Sequence, residues 1–286
     1  MRDSFDIHFI GIGSGKSGSS WLYENIAAHP EIYDGNAKEI NYYSDLYDTN
    51  SFSWYESLFK GNQNGQLMGE FSVTYIDNEK TPERIKKDFP DTRLICILRY
   101  PPNRIFSDYL HSMRKGLVSA DLSFEEYCKD EHRLSFGLYS QKVQSFLKEF
   151  ERDQLLILIY EEAIADPVGC ISTVYEFLGL KDPSFIPEQL TEKVNQAQNY
   201  RFLKLENAIT SVSQYLTSKG NINLLESLKR TGIHKVVRKL NSQGPNKSKM
   251  TAEMHARLHD YFGASIADLE GLLDRKIDTW QKESWQ

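Results

Sequence analysis

The chain has 286 residues, of which 40% are hydrophobic, 12% aromatic and 26% charged, the balance of a globular protein able to bury a substantial core. Its net charge of −6 argues against general nucleic-acid binding, and no apolar run approaches the roughly 18 residues that a membrane span needs. Cys96, Cys128 and Cys170 lack metal-ligand spacing, and the start MRDSFDIHF lacks the order of a secretory leader, so the expected setting is a reducing cytoplasm.

In chain order, DIHFIGIG at 6–13 predicts a buried strand feeding a tight loop. SSWLYENIAAH follows as a helix, with Trp21, Leu22, Ile26 and Ala27 at helical spacing, Ser19 or Ser20 as cap, and His29-Pro30 as stop. TPERIKKDF carries Pro82 near a helix start, and RLICILRY at 93–100 is apolar enough for a strand buried on both faces. NRIFSDYLHSMRK at 103–115 predicts a helix closed by Gly116. SFEEYCKDE and LYSQKVQSFLKEF read as helices, LLILIY at 155–160 as a further strand, and DPVGCISTVYEFLGL as a helix from Pro167 to Gly179. Alternating strands and helices predict an α/β fold with a P-loop-like central parallel sheet flanked by helices. Beyond Leu180 the strand signal ends. Residues 190–286 are expected to form a helical or irregular C-terminal third that wraps the sheet, so that 1–286 is a single domain.

Between Ser227 and Lys249 stand seven Lys or Arg residues and no acidic one. That stretch is either a solvated helix face or a basic wall beside an anionic ligand.

The loop GIGSGKSGSSW, Gly11 to Trp21, approaches two phosphate-binding patterns and satisfies neither. A P-loop requires Gly, four residues, then Gly-Lys-Ser/Thr; Gly15-Lys16-Ser17 supplies the end, but Ile10 stands where the first glycine belongs. The dinucleotide fingerprint accepts Gly11 and Gly13 but finds Lys16 in place of its third glycine. The physical content survives the mismatch. A small-residue loop between strand and helix aims backbone N–H groups at one anion, and the helix dipole favours negative charge there. Lys16 adds a cation, and Ser17, Ser19 and Ser20 add hydroxyls. The bland alternative is a ligand-free glycine-rich turn.

KSGSSWL resembles the 5′-phosphosulfate loop of sulfotransferases that use 3′-phosphoadenosine 5′-phosphosulfate (PAPS), with serines in place of the usual two threonines. RLICILRYPPNRIFSDYLH resembles the second signature of that family, in which an Arg at a strand end and a Ser on the next helix hold the 3′-phosphate; here these are Arg99 and Ser107. AKEINYY, GEFSVTY, LLILIYEE and the closing LHDYFGASIADLEGLLDRKIDTW fit bacterial and Golgi-type members, so the resemblance spans nearly the whole chain.

The resemblance implies PAPS as sulfuryl donor, adenosine 3′,5′-bisphosphate as product and no metal. It places Lys16 at the leaving oxygen, and Gly15, Ser17, Gly18, Ser19 and Ser20 around the 5′-phosphate. Trp21 is then an adenine-stacking residue or an ordinary helix residue, and Tyr139 a neighbour of the 3′-phosphate or adenine, or core. Family members take the acceptor proton with a His or with the Glu of a Lys-Glu-x-x-aromatic segment. Lys38-Glu39-Ile40-Asn41-Tyr42 matches the second type, which makes Glu39 the expected base and His111 its competitor. Glu70 is expected to orient Lys16 or the acceptor, or to form a strand-end salt bridge. Arg104 is expected to be a structural ion-pair partner. Golgi-type members close the 3′-phosphate site with a late Lys-Gly loop; here Gln243 replaces the lysine, and Lys247 is its possible substitute. Asn195 and Arg201 align without an assigned role.

The acceptor is not legible beyond a small molecule, lipid or carbohydrate offering a hydroxyl or amine, and neither is the oligomeric state. Tyr42, Tyr43, Trp54, Tyr55 and Phe59 form an acceptor pocket, a sugar platform or plain core. The competing class is a P-loop-type nucleotide kinase or other ATP-using phosphotransferase, with Glu161 or Glu162 as its metal-side acid. Ile10 at the first P-loop position and the Arg99–Ser107 pair weigh against it.

Overall fold

A computed structural model describes residues 5–33, 37–62, 65–119, 121–190, 198–200, 242–245 and 250–281. Asn195, Arg201, Lys247 and most of the basic stretch 227–249 lie outside the described residues.

Five parallel strands form the central sheet in the order β2-β3-β1-β4-β5. They are β1 (Phe9–Gly13), β2 (Ile32–Tyr33), β3 (Leu67–Phe71), β4 (Arg93–Leu98) and β5 (Leu155–Ile159). Parallel strands joined by helical crossovers are covered on both faces, which is why β1 and β4 read as continuous apolar runs. Along β4 the alternation is visible in the packing: Leu94, Cys96 and Leu98 join one core layer, Ile95 and Ile97 the other. Two glycines let aromatic rings lie flat across neighbouring strands. The Phe71 ring covers Gly11, and the Phe9 ring covers Gly69, its partner in the β1–β3 register.

Helices flank the sheet where the sequence places them, with shifted ends. The helix after β4 runs Pro101–Arg114, starting earlier than the apolar spacing suggests because prolines suit the first helical turn. Pro167–Leu178 ends at Gly179, whose φ of 72° supplies the left-handed cap. SFEEYCKDE is not one helix: Phe124–Tyr127 stops, and Asp130 caps a new short helix, Glu131–Ser135. A 22-residue helix, Ala252–Leu273, packs on Tyr139–Leu147 and Pro101–Arg114.

The expectation of a strand-free C-terminal third is corrected. β6 (Gln198–Tyr200) and β7 (Ser242–Pro245) pair antiparallel. Pairing of such short polar segments rests on backbone hydrogen bonds, which leave no hydrophobic alternation to read. Among the described residues no helix is long and apolar enough to cross a membrane.

Candidate active site

The carboxyl ends of β1, β3, β4 and β5 open on one edge, because parallel strands all point the same way. Lys16 follows β1, Ser72 follows β3, Arg99 follows β4 and Tyr160 follows β5.

The loop between β1 and the helix Ser19–Ala27 is tied inward. Ser14 donates its N–H to the Ile97 carbonyl at 2.8 Å, and its hydroxyl lies 2.6 Å from that of the fully buried Ser17. Two arginines hold the carbonyls of the loop from the other side: Arg104 Nε donates to Gly15 O and Arg99 Nη1 to Lys16 O, each at 3.3 Å. Lys16 takes a left-handed φ of 68°. Gly18 caps the helix at φ 90° with no side-chain hydrogen bond to the first turn, so no side chain caps the N–H groups there. A Cβ at Gly18 would come within 2.7 Å of the Tyr160 ring, so the loop is pressed against β5's end as well.

The Lys16 ammonium has no hydrogen bond or ion pair among the described residues. Burial pulls its pKa down to about 8; Asp108 and Glu39 pull it back up, while Arg114 and Arg104 push it further down. Arg99 is half-buried, its guanidinium 4.9 Å from the Tyr160 ring centroid, and its Nε is buried without a partner. Ser107 stands half-buried on the next helix, one turn beyond Arg104, without a hydrogen bond among the described residues. Tyr139 is buried and donates from its hydroxyl to the Arg99 carbonyl at 2.9 Å. Burial pushes its pKa up to about 12, against the pull of Arg104 and of Ser14 and Ser17 beside it. Trp21 is half-buried and donates its indole N–H to Leu190 O at 2.9 Å. Ser19 is buried and Ser20 half-buried in the first turn.

Residues 37–39 run beside β3: Phe71 N–H donates to Ala37 O at 2.9 Å and Glu39 N–H to Phe71 O at 2.8 Å. This brings the Glu39 carboxylate within electrostatic reach of Lys16. Glu39 is exposed, pairs with Lys38 Nζ at 2.8 Å, and accepts from Val73 N–H at 3.3 Å. Its φ of 58° is left-handed, an unusual state for a non-glycine residue and one that clusters at functional sites. His111 also lies within reach of Lys16. Burial, reinforced by Lys16, Arg114 and Lys115, pushes its pKa down to about 4, so its ring is neutral at neutral pH.

Glu70 neither contacts Lys16 nor forms the expected salt bridge among the described residues. It is fully buried and accepts hydrogen bonds from the hydroxyls of Tyr55, Tyr75 and Ser72, each at 2.8 Å. The aromatic stretch is mostly core: Tyr42, Tyr43, Tyr55 and Phe59 are buried, and Tyr42 stacks on Tyr55 with ring centroids 4.7 Å apart. Arg104 does pair with Asp108, at 3.7 Å, but its bond to Gly15 O makes it a strap on the loop as well. Tyr160 went unnoticed in the sequence; its place as the first residue past an apolar strand is the signal that marks it.

The comparisons agree with this architecture. The family described as the sulfotransferase domain matches residues 6–270. Heparan sulfate glucosamine 3-O-sulfotransferase 6 of Mus musculus is 28% identical over 184 residues, covering 59% of this chain and 51% of that protein. Heparan sulfate glucosamine 3-O-sulfotransferase 3B1 of Homo sapiens is 30% identical over 183 residues, covering 60% of this chain and 46% of that protein. The chain thus spans about half the length of the curated relatives it matches. A sulfotransferase from Alicyclobacillus acidocaldarius shares the fold with a TM-score of 0.71 at 24% identity, over 97% of this chain and 99% of that one. With the family match running from the first strand into the last long helix, the chain belongs to the sulfotransferase domain family.

Proposed function

We propose that this protein transfers a sulfuryl group from PAPS to a hydroxyl or amine of a carbohydrate acceptor. One observation carries the reading: the half-buried Lys16, whose ammonium has no partner among the described residues, is joined through its own carbonyl to Arg99, whose buried Nε also has none among them. Two cations on one sheet edge, each with donor capacity left over among the described residues, beside an uncapped helix start, suit a ligand with two separated anionic groups. When bound, PAPS supplies the activated sulfuryl group and leaves as adenosine 3′,5′-bisphosphate.

In this reading the N–H groups of Gly15, Ser17 and Gly18 and the first helical turn, with the hydroxyls of Ser19 and Ser20, hold the 5′-phosphate. The Ser17 hydroxyl is engaged by Ser14 and orders the loop. Lys16 meets the charge that builds on the bridging oxygen as its bond to sulfur breaks. Arg99 and Ser107 take the 3′-phosphate, Tyr139 holds the Arg99 backbone, and Trp21 flanks the adenine. Glu39 accepts the acceptor's proton as the new bond to sulfur forms. Positioning and charge stabilisation carry a loose in-line transfer of this kind, by analogy with phosphoryl transfer.

The carbohydrate acceptor rests on the relatives, whose names specify heparan sulfate glucosamine. A reducing cytoplasmic setting belongs to the same proposal and rests on three buried, unpaired thiols. The test is calorimetric binding of adenosine 3′,5′-bisphosphate against ATP with magnesium, followed by transfer from sulfur-labelled PAPS to heparan sulfate. Tight binding of the bisphosphate without metal and label in the polysaccharide are expected; preference for ATP with a strict metal need overturns the reading.

A further inference from the structure

Glu70 occupies β3 opposite Ile10 of the central strand, fully buried, with no cation in contact among the described residues. A carboxylate in such a place costs several kcal/mol of solvation unless its neighbours satisfy it. Three hydroxyls do so, and two of them reach onward. Ser72 Oγ donates to Glu70 Oε2 at 2.8 Å and accepts the Asn41 N–H at 3.0 Å. Tyr75 OH donates to Glu70 Oε1 at 2.8 Å and accepts the Tyr43 N–H at 3.3 Å. Tyr55 OH completes the set on Oε1.

Both relays end on the backbone just after Glu39. That backbone needs holding. Glu39 and Asn41 are both left-handed, at φ 58° and 56°, and a single π-helical turn, Tyr42–Leu46, begins next. A left-handed non-glycine residue is costly to hold and persists only where its surroundings fix it. The first N–H groups of a helical turn have no partner within it, and here one of them is taken by Tyr75.

We propose that Glu70 is a positioning residue for Glu39, fixing the strained backbone that carries it through the Ser72–Asn41 and Tyr75–Tyr43 relays. This rests on the reading of Glu39 as the base. Burial lifts the Glu70 pKa to about 7. Above it the ionised carboxylate only accepts, makes both hydroxyls donate inward and leaves their lone pairs for the two N–H groups, so exchange and turnover are read at about pH 8. A glutamine has one acceptor oxygen in place of two: its NH₂ donates to one of the hydroxyls, whose own proton then loses its acceptor, and that arm loosens.

The experiment uses the full chain with Glu70→Gln, Ser72→Ala and Tyr75→Phe. Amide hydrogen exchange at Asn41 and Tyr43 is read together with bisphosphate affinity and turnover of labelled PAPS with heparan sulfate. Glu70→Gln is expected to speed exchange at one or both amides by about tenfold or more and to leave bisphosphate affinity within about twofold. It is expected to lower turnover by about ten- to a hundredfold, and to cost nothing further on a Glu39→Gln background. Ser72→Ala should release Asn41 alone and Tyr75→Phe Tyr43 alone, so the relays stay testable if Glu70→Gln fails to fold. Unchanged exchange overturns the proposal. So does an equal loss of turnover on both backgrounds, or a loss matched by weaker bisphosphate binding. Absence of transfer by the unaltered chain overturns the function and with it the role of Glu39, while exchange reports separately on the relays.

Discussion

Arg99 donates a hydrogen bond from Nη1 to the main-chain carbonyl of Lys16 at 3.3 Å, tying the end of β4 to the loop after β1. The two residues lie far apart in sequence, yet one cation fixes the backbone that presents the other. Their charges stay directed at the same edge because a carbonyl, and not a carboxylate, takes the bond between them.

Replacing Lys16 separates catalysis from folding. Lys16→Ala is expected to lower transfer by at least about a hundredfold. The thermal midpoint should not fall, because an unpaired, largely desolvated cation is removed. With the Lys16 pKa pulled down to about 8, bisphosphate affinity should drop as pH rises past that value and the ammonium discharges. Lys16→Arg, which stays charged, should abolish that drop; calorimetry between pH 7 and 10, a window of about three units that brackets the step, measures both.

Arg99→Ala is expected to weaken adenosine 3′,5′-bisphosphate by roughly ten- to a hundredfold, the worth of a charged hydrogen bond. Adenosine 5′-phosphosulfate, which lacks the 3′-phosphate, should lose much less. Equal losses for the two ligands remove the 3′-phosphate assignment.

Glu39→Gln should reduce turnover by about 10² to 10⁴ with bisphosphate affinity retained. Steady-state kinetics beside equilibrium binding make the separation. Turnover that survives the change transfers the role to His111, whose ring is held neutral beside Lys16.

Glu70 makes stability depend on pH in a known direction. Burial raises its pKa from 4.5 to about 7, with the three hydroxyls pulling down and Glu39 adding to the rise. Between those values the folded state binds more protons than the unfolded one. The contribution of this group is therefore fully present below 4.5 and lost as pH rises through about 7. Urea midpoints of the wild type and Glu70→Gln at pH 5 and pH 8, either side of about 7, should show the wild type losing stability relative to the variant as pH rises. A pH-independent difference removes the shift.

Gly18→Ala meets two obstacles, a left-handed φ of 90° and the Tyr160 ring 2.7 Å from the new Cβ. A loss of about 1–3 kcal/mol is expected by denaturant unfolding. Adding Tyr160→Ala should recover the steric part and leave the backbone part.

The sequence carried the site unevenly. Lys16 stood out by itself in a small-residue loop between strand and helix, whereas the proposed roles of Glu39, Arg99 and Ser107 came from the resemblance to sulfotransferase signatures. Glu70 was visible only as a charge after an apolar stretch: Ser72 and Tyr75 follow it closely in GEFSVTY, but only the turn after β3 folds their hydroxyls back onto it, and Tyr55 reaches it from an earlier helix. The pairing of β6 with β7 was hidden for a related reason: backbone hydrogen bonds between short polar segments leave no periodic trace.

By itself the sequence determined the alternation of buried strands with helices and the small-residue loop that opens it. Parallel strands then place every strand-end residue on one edge, so the shared location of Lys16 and Arg99 follows from pattern and chain direction. Only the tertiary structure decided which groups are satisfied there. Folding leaves the Lys16 ammonium and Arg99 Nε without partners among the described residues, gives Glu70 three hydroxyls, and sets Tyr160 against Gly18. The physical reason is that periodicity sets only the face a side chain points to, whereas a hydrogen bond needs a partner within about 3 Å, set by the packing of distant segments.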